Sequence, residues 1–260
     1  MTIAILGAGA FGQALGKILT DNQNEVKYYD PALYPDVNLD AATFEASTIV
    51  IAVPSMFIGS LLADYPERLK KVPTILATKG LLNADQFADF EQFSVISGPA
   101  FAVEISAGKP ATFTSSSPIA MGLFHNDQIQ IELCEDLNGI LLCGALKNIY
   151  AIGSGYYSDS ENMTAAFIQH AHSEMKSYLS DHGCDPQTAE LACGLGDLIL
   201  TCTNETSRNF RCGKMLKEGR NIDEITDKLH TVEGLSALLN VETEKYQLLR
   251  KIKELAGYQN

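Results

Sequence analysis

Basic residues are scarce in this chain: 19 Lys and Arg stand against 32 Asp and Glu, a formal net charge of −13 over 260 residues. Such a balance repels nucleic-acid backbones and anionic membrane surfaces, so the expected partners are small molecules or other proteins. An anionic substrate would need its own local cluster of Lys and Arg. Metal and disulfide spacings are lacking too. The six cysteines, Cys134, Cys143, Cys184, Cys193, Cys202 and Cys212, form no C-x-x-C pair, and no H-E-x-x-H segment accompanies them. A reduced, cytoplasmic protein without a metal site is the expectation. Long apolar runs are also missing: Pro54 breaks "STIVIAVPSMFIG", well short of the roughly 18 residues of a membrane span. The apolar start has no basic segment before it, and glycines interrupt it where a secretory signal would be continuous. There is no low-complexity tract or internal repeat. With 46% hydrophobic and 20% charged residues, the composition is that of a folded, soluble protein.

What is present changes character along the chain. The runs "TIAIL", "EVKYY", "TIVIAV", "TILAT", "SVIS" and "ATFTS" alternate with longer mixed segments, the pattern of a parallel sheet covered on both faces. After about residue 135 the period becomes helical, in "EDLNGILLCGALKNIYAIGSGYY" and around 160–180, 207–218 and 234–256. The expected fold is α/β plus all-α. A doubly wound Rossmann-type sheet spans residues 1–134, and a helical substrate-binding and catalytic domain spans 135–260.

Open parallel sheets bind ligands at the carboxyl ends of their strands, so the residues just after each run matter. "GAGAFG" comes after the first, with Gly7, Gly9 and Gly12 in G-x-G-x-x-G spacing and Ala10 and Phe11 between them. Chemically, this spacing supplies a tight turn, bare backbone for a pyrophosphate and close helix packing, with phosphate charge at a helix N-terminus. Asp30 ends the second run, 18 residues after Gly12. A carboxylate there suits an adenosine ribose and repels a 2′-phosphate, favouring NAD over NADP, although Asp-Pro is also a turn signal. Pro54, Lys79 and "GPAF" from Gly98 stand after the next three runs.

In the second half, Lys147 interrupts an apolar helix, with Cys143, Gly144, Tyr150 and Ala151 one turn away on its face. Three small neighbours of four fit a lysine facing a ligand cleft; the alternative is a lysine snorkelling at a surface. Asp197 follows two glycines and is placed to orient a lysine ammonium or a substrate hydroxyl. Ser207, Arg208 and Asn209 form either an anion site at a helix start or simply a capped helix with an exposed arginine.

Together, "GAGAFGQAL", "VPS", "ATKGL", "SGPAFAVEISAGKPA", "GALKNIYAIGSG", "ELACGLGDLILTCTNETSRNFRCGKML" and "VEG" resemble the NAD(P)-dependent glycerol-3-phosphate dehydrogenases, in family order from residue 3 to 234. The resemblance implies reversible reduction of dihydroxyacetone phosphate to sn-glycerol 3-phosphate by NADH, or secondarily NADPH, in the supply of glycerophospholipid precursors. It assigns Lys147 as proton donor and acceptor, with Asp197 and Lys79 completing the catalytic set. It carries Gly98, Ala100, Asn148, Thr201, Ser207, Arg208 and Asn209, with Lys79, Lys147 and Asp197, onto the substrate side. Gly7, Gly9, Ala10, Phe11, Gly12, Asp30, Pro54, Lys79, Ala102, Arg208 and Glu233 fall on the cofactor side.

The chain departs from that family by being several tens of residues shorter than common members. It also carries Ala100 where a small hydroxyl residue is usual, and His170 where arginine is common. Two alternatives stand beside this reading: a non-catalytic NAD-sensing module, and a related two-domain hydroxyacid dehydrogenase. A homodimer through the helical domain is a further expectation.

Overall fold

The computed structural model describes residues 1–80 and 83–258. Leu81, within "ATKGL", and the last two residues of the expected helical domain lie outside them. The chain divides into two compact units, one of residues 1–79 and 83–137 and one that takes in Gly80 and the residues from Asn138 onward.

In the first unit the described strands form one seven-stranded sheet: β1 Thr2–Leu6, β2 Glu25–Tyr29, β3 Thr48–Ile51, β4 Thr74–Leu76, β5 Phe93–Ser97, β6 Ala111–Ser115 and β7 Ile129–Leu133. Their order is β2-β1-β3-β4-β5-β6-β7. The helices of this unit are α1 Ala10–Asp21, α2 Leu39–Thr43, α3 Ile58–Ala63, α4 Ala102–Ser106 and α5 Pro118–Phe124. Ile3 to Leu6 of β1 and Ile49 to Ile51 of β3 are wholly buried, as continuous apolar runs in a doubly covered sheet must be. Ala14, Leu15, Ile18 and Leu19 give α1 a buried face, while Gln13 and Lys17 stay exposed. The order reverses between β1 and β3, and the reversal sets the crevice at their carboxyl ends.

Two expectations change here. "ATFTS" does form β6, but it runs antiparallel to β5, with Ile96 opposite Ser115 and Ser97 opposite Thr114. Between them α4 has five residues, a rise of about 8 Å, too short to carry the chain back along a strand of about 17 Å. The seventh strand, β7, is not among the runs that read as strands. Its "IQIEL" alternates, burying Ile129 and Ile131 and exposing Gln130, and pairs in parallel with β6. Alternation of this kind escapes a search for continuous apolar runs.

The second unit contains α6 Leu137–Tyr157, α7 Glu161–Asp181, α8 Asp197–Cys202, α9 Arg208–Lys217, α10 Ile222–Leu229, α11 Glu233–Leu238 and α12 Gln247–Leu255. Sixteen of the 21 residues of α6 are buried, which makes it the central helix of the unit. No described helix is long and apolar enough to cross a membrane. The stretch 234–256 is not one helix but α11 and α12. Glu174 of α7 accepts the Leu248 and Leu249 N–H groups at 2.8 and 3.0 Å, capping α12 from another helix where its own N-cap residue, Tyr246, supplies no side-chain cap. A cap supplied 74 residues away leaves no local signal.

Candidate active site

The carboxyl edge of the sheet carries the residues read as cofactor-binding except Arg208 and Glu233, which start α9 and α11 in the helical unit. Gly7 has φ = 103°, a conformation only glycine adopts without strain, and donates its N–H to the Tyr29 carbonyl at 2.8 Å. A side chain at Gly12 would begin 1.9 Å from the Gly7 carbonyl oxygen, whereas one at Gly9 would meet no atom within 4 Å. Thus Gly12 serves packing, while Gly9 leaves bare backbone facing open space. Gly9 also gives α1 no side-chain cap, so the first turn, where Ala10 lies exposed, is open to an anion. These features fit a dinucleotide pyrophosphate.

Asp30, half-buried at the end of β2, accepts the Ala8 N–H through Oδ2 at 2.8 Å. Its Oδ1 accepts the Ala32 and Leu33 N–H groups at 3.1 and 3.3 Å. Pro54 is exposed after β3 and opens the short turn Ser55–Phe57. Lys79 follows β4; its ammonium donates to the Ala100 carbonyl at 3.3 Å and stands 4.6 Å from the Phe11 ring centroid, within cation–π range. Three loops therefore meet at Lys79. The same edge carries Ala102, half-buried at the start of α4. Gly98 is fixed by packing, since a side chain there would begin 2.4 Å from the Thr112 carbonyl oxygen of β6.

In the helical unit the centre is an ion pair between Lys147 of α6 and Asp197 of α8, separated by 50 residues in sequence. Lys147 is 2% exposed and Asp197 1%, which excludes the snorkelling alternative. One π-helical turn, Ala192–Gly196, runs directly into Asp197. Thr201, one turn along α8, donates to Asp197 Oδ1 at 3.2 Å. Burial pushes the neighbouring Cys202 thiol well above its ordinary range, making it an unreactive neighbour.

A second chain of buried amides lies beside this pair. Gly234 N–H donates to Asn209 Oδ1 at 2.9 Å, Asn209 donates to Asn148 Oδ1 at 2.9 Å, and Asn148 donates to the Gly144 carbonyl at 3.1 Å. Ser207 caps α9 by accepting the Phe210 N–H at 3.2 Å. Arg208 is exposed in the first turn of α9, and Glu233 is half-buried at the start of α11. Asn209 thus has both ends of its amide engaged by protein. The sequence gives Gly234 only as the end of "VEG" and does not single out Glu174; tertiary bonds of this kind have no local spacing to reveal them. Among the described residues, no group of His, Cys, Asp and Glu could hold a metal ion.

A family model described as NAD-dependent glycerol-3-phosphate dehydrogenase C-terminus matches residues 136–254, and its N-terminal counterpart matches residues 28–121. The chain belongs to the NAD-dependent glycerol-3-phosphate dehydrogenase family. It is 32% identical to the glycerol-3-phosphate dehydrogenase, NAD(P)+, of Bacillus pumilus over 96% of this chain and 86% of the relative. With the enzyme of the same name from Shouchella clausii it shares 30% identity over 90% of this chain and 83% of the relative. That alignment runs over 282 positions, more than the whole chain, so the relative has residues that this chain lacks. The crystal structure of glycerol-3-phosphate dehydrogenase from Coxiella burnetii matches with a TM-score of 0.80 and 26% identity, over 100% of this chain and 91% of that one. The chain is therefore an oxidoreductase that binds NAD or NADP. Family membership sets aside the hydroxyacid dehydrogenase.

Proposed function

We propose that this enzyme reduces dihydroxyacetone phosphate to sn-glycerol 3-phosphate, reversibly, with NADH preferred over NADPH. The observation that carries this reading is the buried Lys147–Asp197 pair, flanked in sequence by "GALKN" and "GDLILTC". NAD(P)H, when bound, supplies the hydride that reaches C2 of the ketone.

The remaining roles fall to the chain's own residues. Lys147 delivers a proton to the oxygen that becomes the C2 hydroxyl, and in the reverse direction removes it. Asp197 fixes the direction of the lysine, with Thr201 holding the second carboxylate oxygen. Lys79, restrained by the Ala100 carbonyl and the Phe11 ring, offers positive charge to the ketone oxygen. Arg208 takes the substrate phosphate, aided by the N–H groups of the α9 first turn after Ser207. Asn148 and Asn209, bonded to each other and next in sequence to Lys147 and Arg208, line the substrate. Phe11, Ala102, Pro54 and Glu233 flank the cofactor, and Asp30 favours NADH because its charge opposes a 2′-phosphate. Lys79 at the sheet edge, and Lys147 and Arg208 in the helical unit, each offer positive charge to an anionic substrate in a protein of net charge −13.

The reading extends to a cytoplasmic, dimeric enzyme that supplies glycerol phosphate for phospholipids. Following NADH oxidation at 340 nm with dihydroxyacetone phosphate, with NADPH as the second cofactor, tests it. Turnover faster with NADH supports the proposal. Equal rates would remove the cofactor preference, and NADH binding without turnover would remove the reaction.

A further inference from the structure

We propose that Asp30 positions the glycine loop, so that one carboxylate sets both the shape of the phosphate-binding turn and the choice of cofactor. This deepens the proposed function and rests on its assignment of the loop to the dinucleotide.

The hydrogen bonds at Asp30 form a directed set. Oδ1 accepts two N–H groups from the turn that Asp30 itself begins, those of Ala32 and Leu33, and these fix the carboxylate. Oδ2 then accepts the N–H of Ala8 at 2.8 Å, the residue between Gly7 and Gly9. The preceding N–H, that of Gly7, donates to the Tyr29 carbonyl at 2.8 Å. Two successive residues of the loop are therefore stapled to the end of β2, one through backbone and one through a charged side chain. Gly7 packs against the backbone of Ala52 and Val53, and Gln13 donates from Nε2 to the Ala8 carbonyl at 2.8 Å; the Asp30 bond adds the tie from the Ala8 N–H to the end of β2.

A count of acceptor sites gives a second consequence. A carboxylate offers about four lone-pair directions, of which backbone N–H groups occupy three. The direction left over is on Oδ2, so Asp30 can take one ribose hydroxyl and not a diol across both oxygens. Discrimination against a 2′-phosphate then rests on charge plus a single hydrogen bond.

Asp30→Asn separates positioning from ribose contact. Its shape is kept, but the amide nitrogen cannot accept, so the Ala8 bond or the turn must be given up. Affinities are read by nicotinamide fluorescence for NADH, NADPH and reduced nicotinamide mononucleotide, which has no adenosine ribose yet must bring its phosphate to the loop. Amide hydrogen exchange at Ala8 is read in the unliganded protein, and thermal melting confirms folding. The expected result is about tenfold weaker NADH binding, a comparable loss for the mononucleotide, and about tenfold faster exchange at Ala8. Loss confined to NADH, with mononucleotide affinity and Ala8 exchange unchanged, would overturn the proposal and leave Asp30 a ribose ligand only. Neither readout needs turnover, so a chain that binds cofactor without reducing dihydroxyacetone phosphate would sink the functional reading while still deciding this one. Asp30→Ala, which removes all three bonds, should show the same pattern with larger losses.

Discussion

The sheet edge and the helical unit prepare chemistry by opposite means. At the sheet edge the important features are backbone: a positive φ at Gly7, a missing side chain at Gly9, and a helix start without a cap. In the helical unit they are side chains, with Lys147, Asp197, Asn148 and Asn209 buried and bonded to one another. A backbone site recognises a group every dinucleotide shares. A buried ionic site tolerates little, because each member satisfies another.

Substitutions sharpen that contrast, and the largest effect is expected at Lys147. Lys147→Ala should lower kcat by about 10²–10⁴ while leaving the NADH dissociation constant nearly unchanged; a parallel loss of cofactor affinity would break the separation of roles. Asp197→Ala strands a buried ammonium, and urea denaturation should show a loss of about 3–5 kcal/mol. The double variant Lys147→Met with Asp197→Leu should recover most of that stability and none of the activity. Next comes a comparison within α9. Asn209→Ala orphans the Gly234 N–H and the Asn148 oxygen and should cost about 1–3 kcal/mol. Arg208→Ala, exposed, should shift stability by less than about 0.5 kcal/mol and raise KM for the phosphorylated ketone.

Smaller changes are expected at the loop. Gly9→Ala should leave the melting temperature of the unliganded protein within its error and weaken NADH about tenfold. Gly12→Ala, which would collide with the Gly7 carbonyl, should lower the melting temperature as well. If both behaved alike, the distinction between bare backbone and packing would be lost. The smallest effect is expected from alkylation. Burial pushes the Cys212 thiol up to about 12 and the Cys202 thiol higher, so iodoacetamide near pH 7.5 should modify the partly exposed Cys134 and Cys184 first and leave turnover intact. Rapid modification of Cys202 with loss of activity would contradict the closed packing around Lys147.

The two halves are also unequally legible in the sequence. Backbone requirements write themselves as glycines at fixed spacing after an apolar run, so the loop and the six strands from "TIAIL" to "ATFTS" can be read locally. The direction of β6 cannot, because it depends on how little chain α4 supplies. Lys147 stands out as a lone charge in an apolar helix, yet its tie to Asp197 spans 50 residues and only the family pattern joins them. Resemblance puts Asn209 on the substrate side, and its bonds to Asn148 and Gly234 also tie it into a buried chain of amides. The break between α11 and α12 is invisible for the same reason, since Glu174 of another helix caps α12.

The central claim is hydride transfer to C2 with Lys147 serving the adjacent oxygen. The most direct measurement uses NADH dideuterated at nicotinamide C4, dihydroxyacetone phosphate, and mass spectrometry of the product. One deuterium at C2 of glycerol 3-phosphate is expected with the native enzyme, and almost no product with Lys147→Ala. Product without deuterium at C2, or undiminished labelled product from Lys147→Ala, would contradict the account.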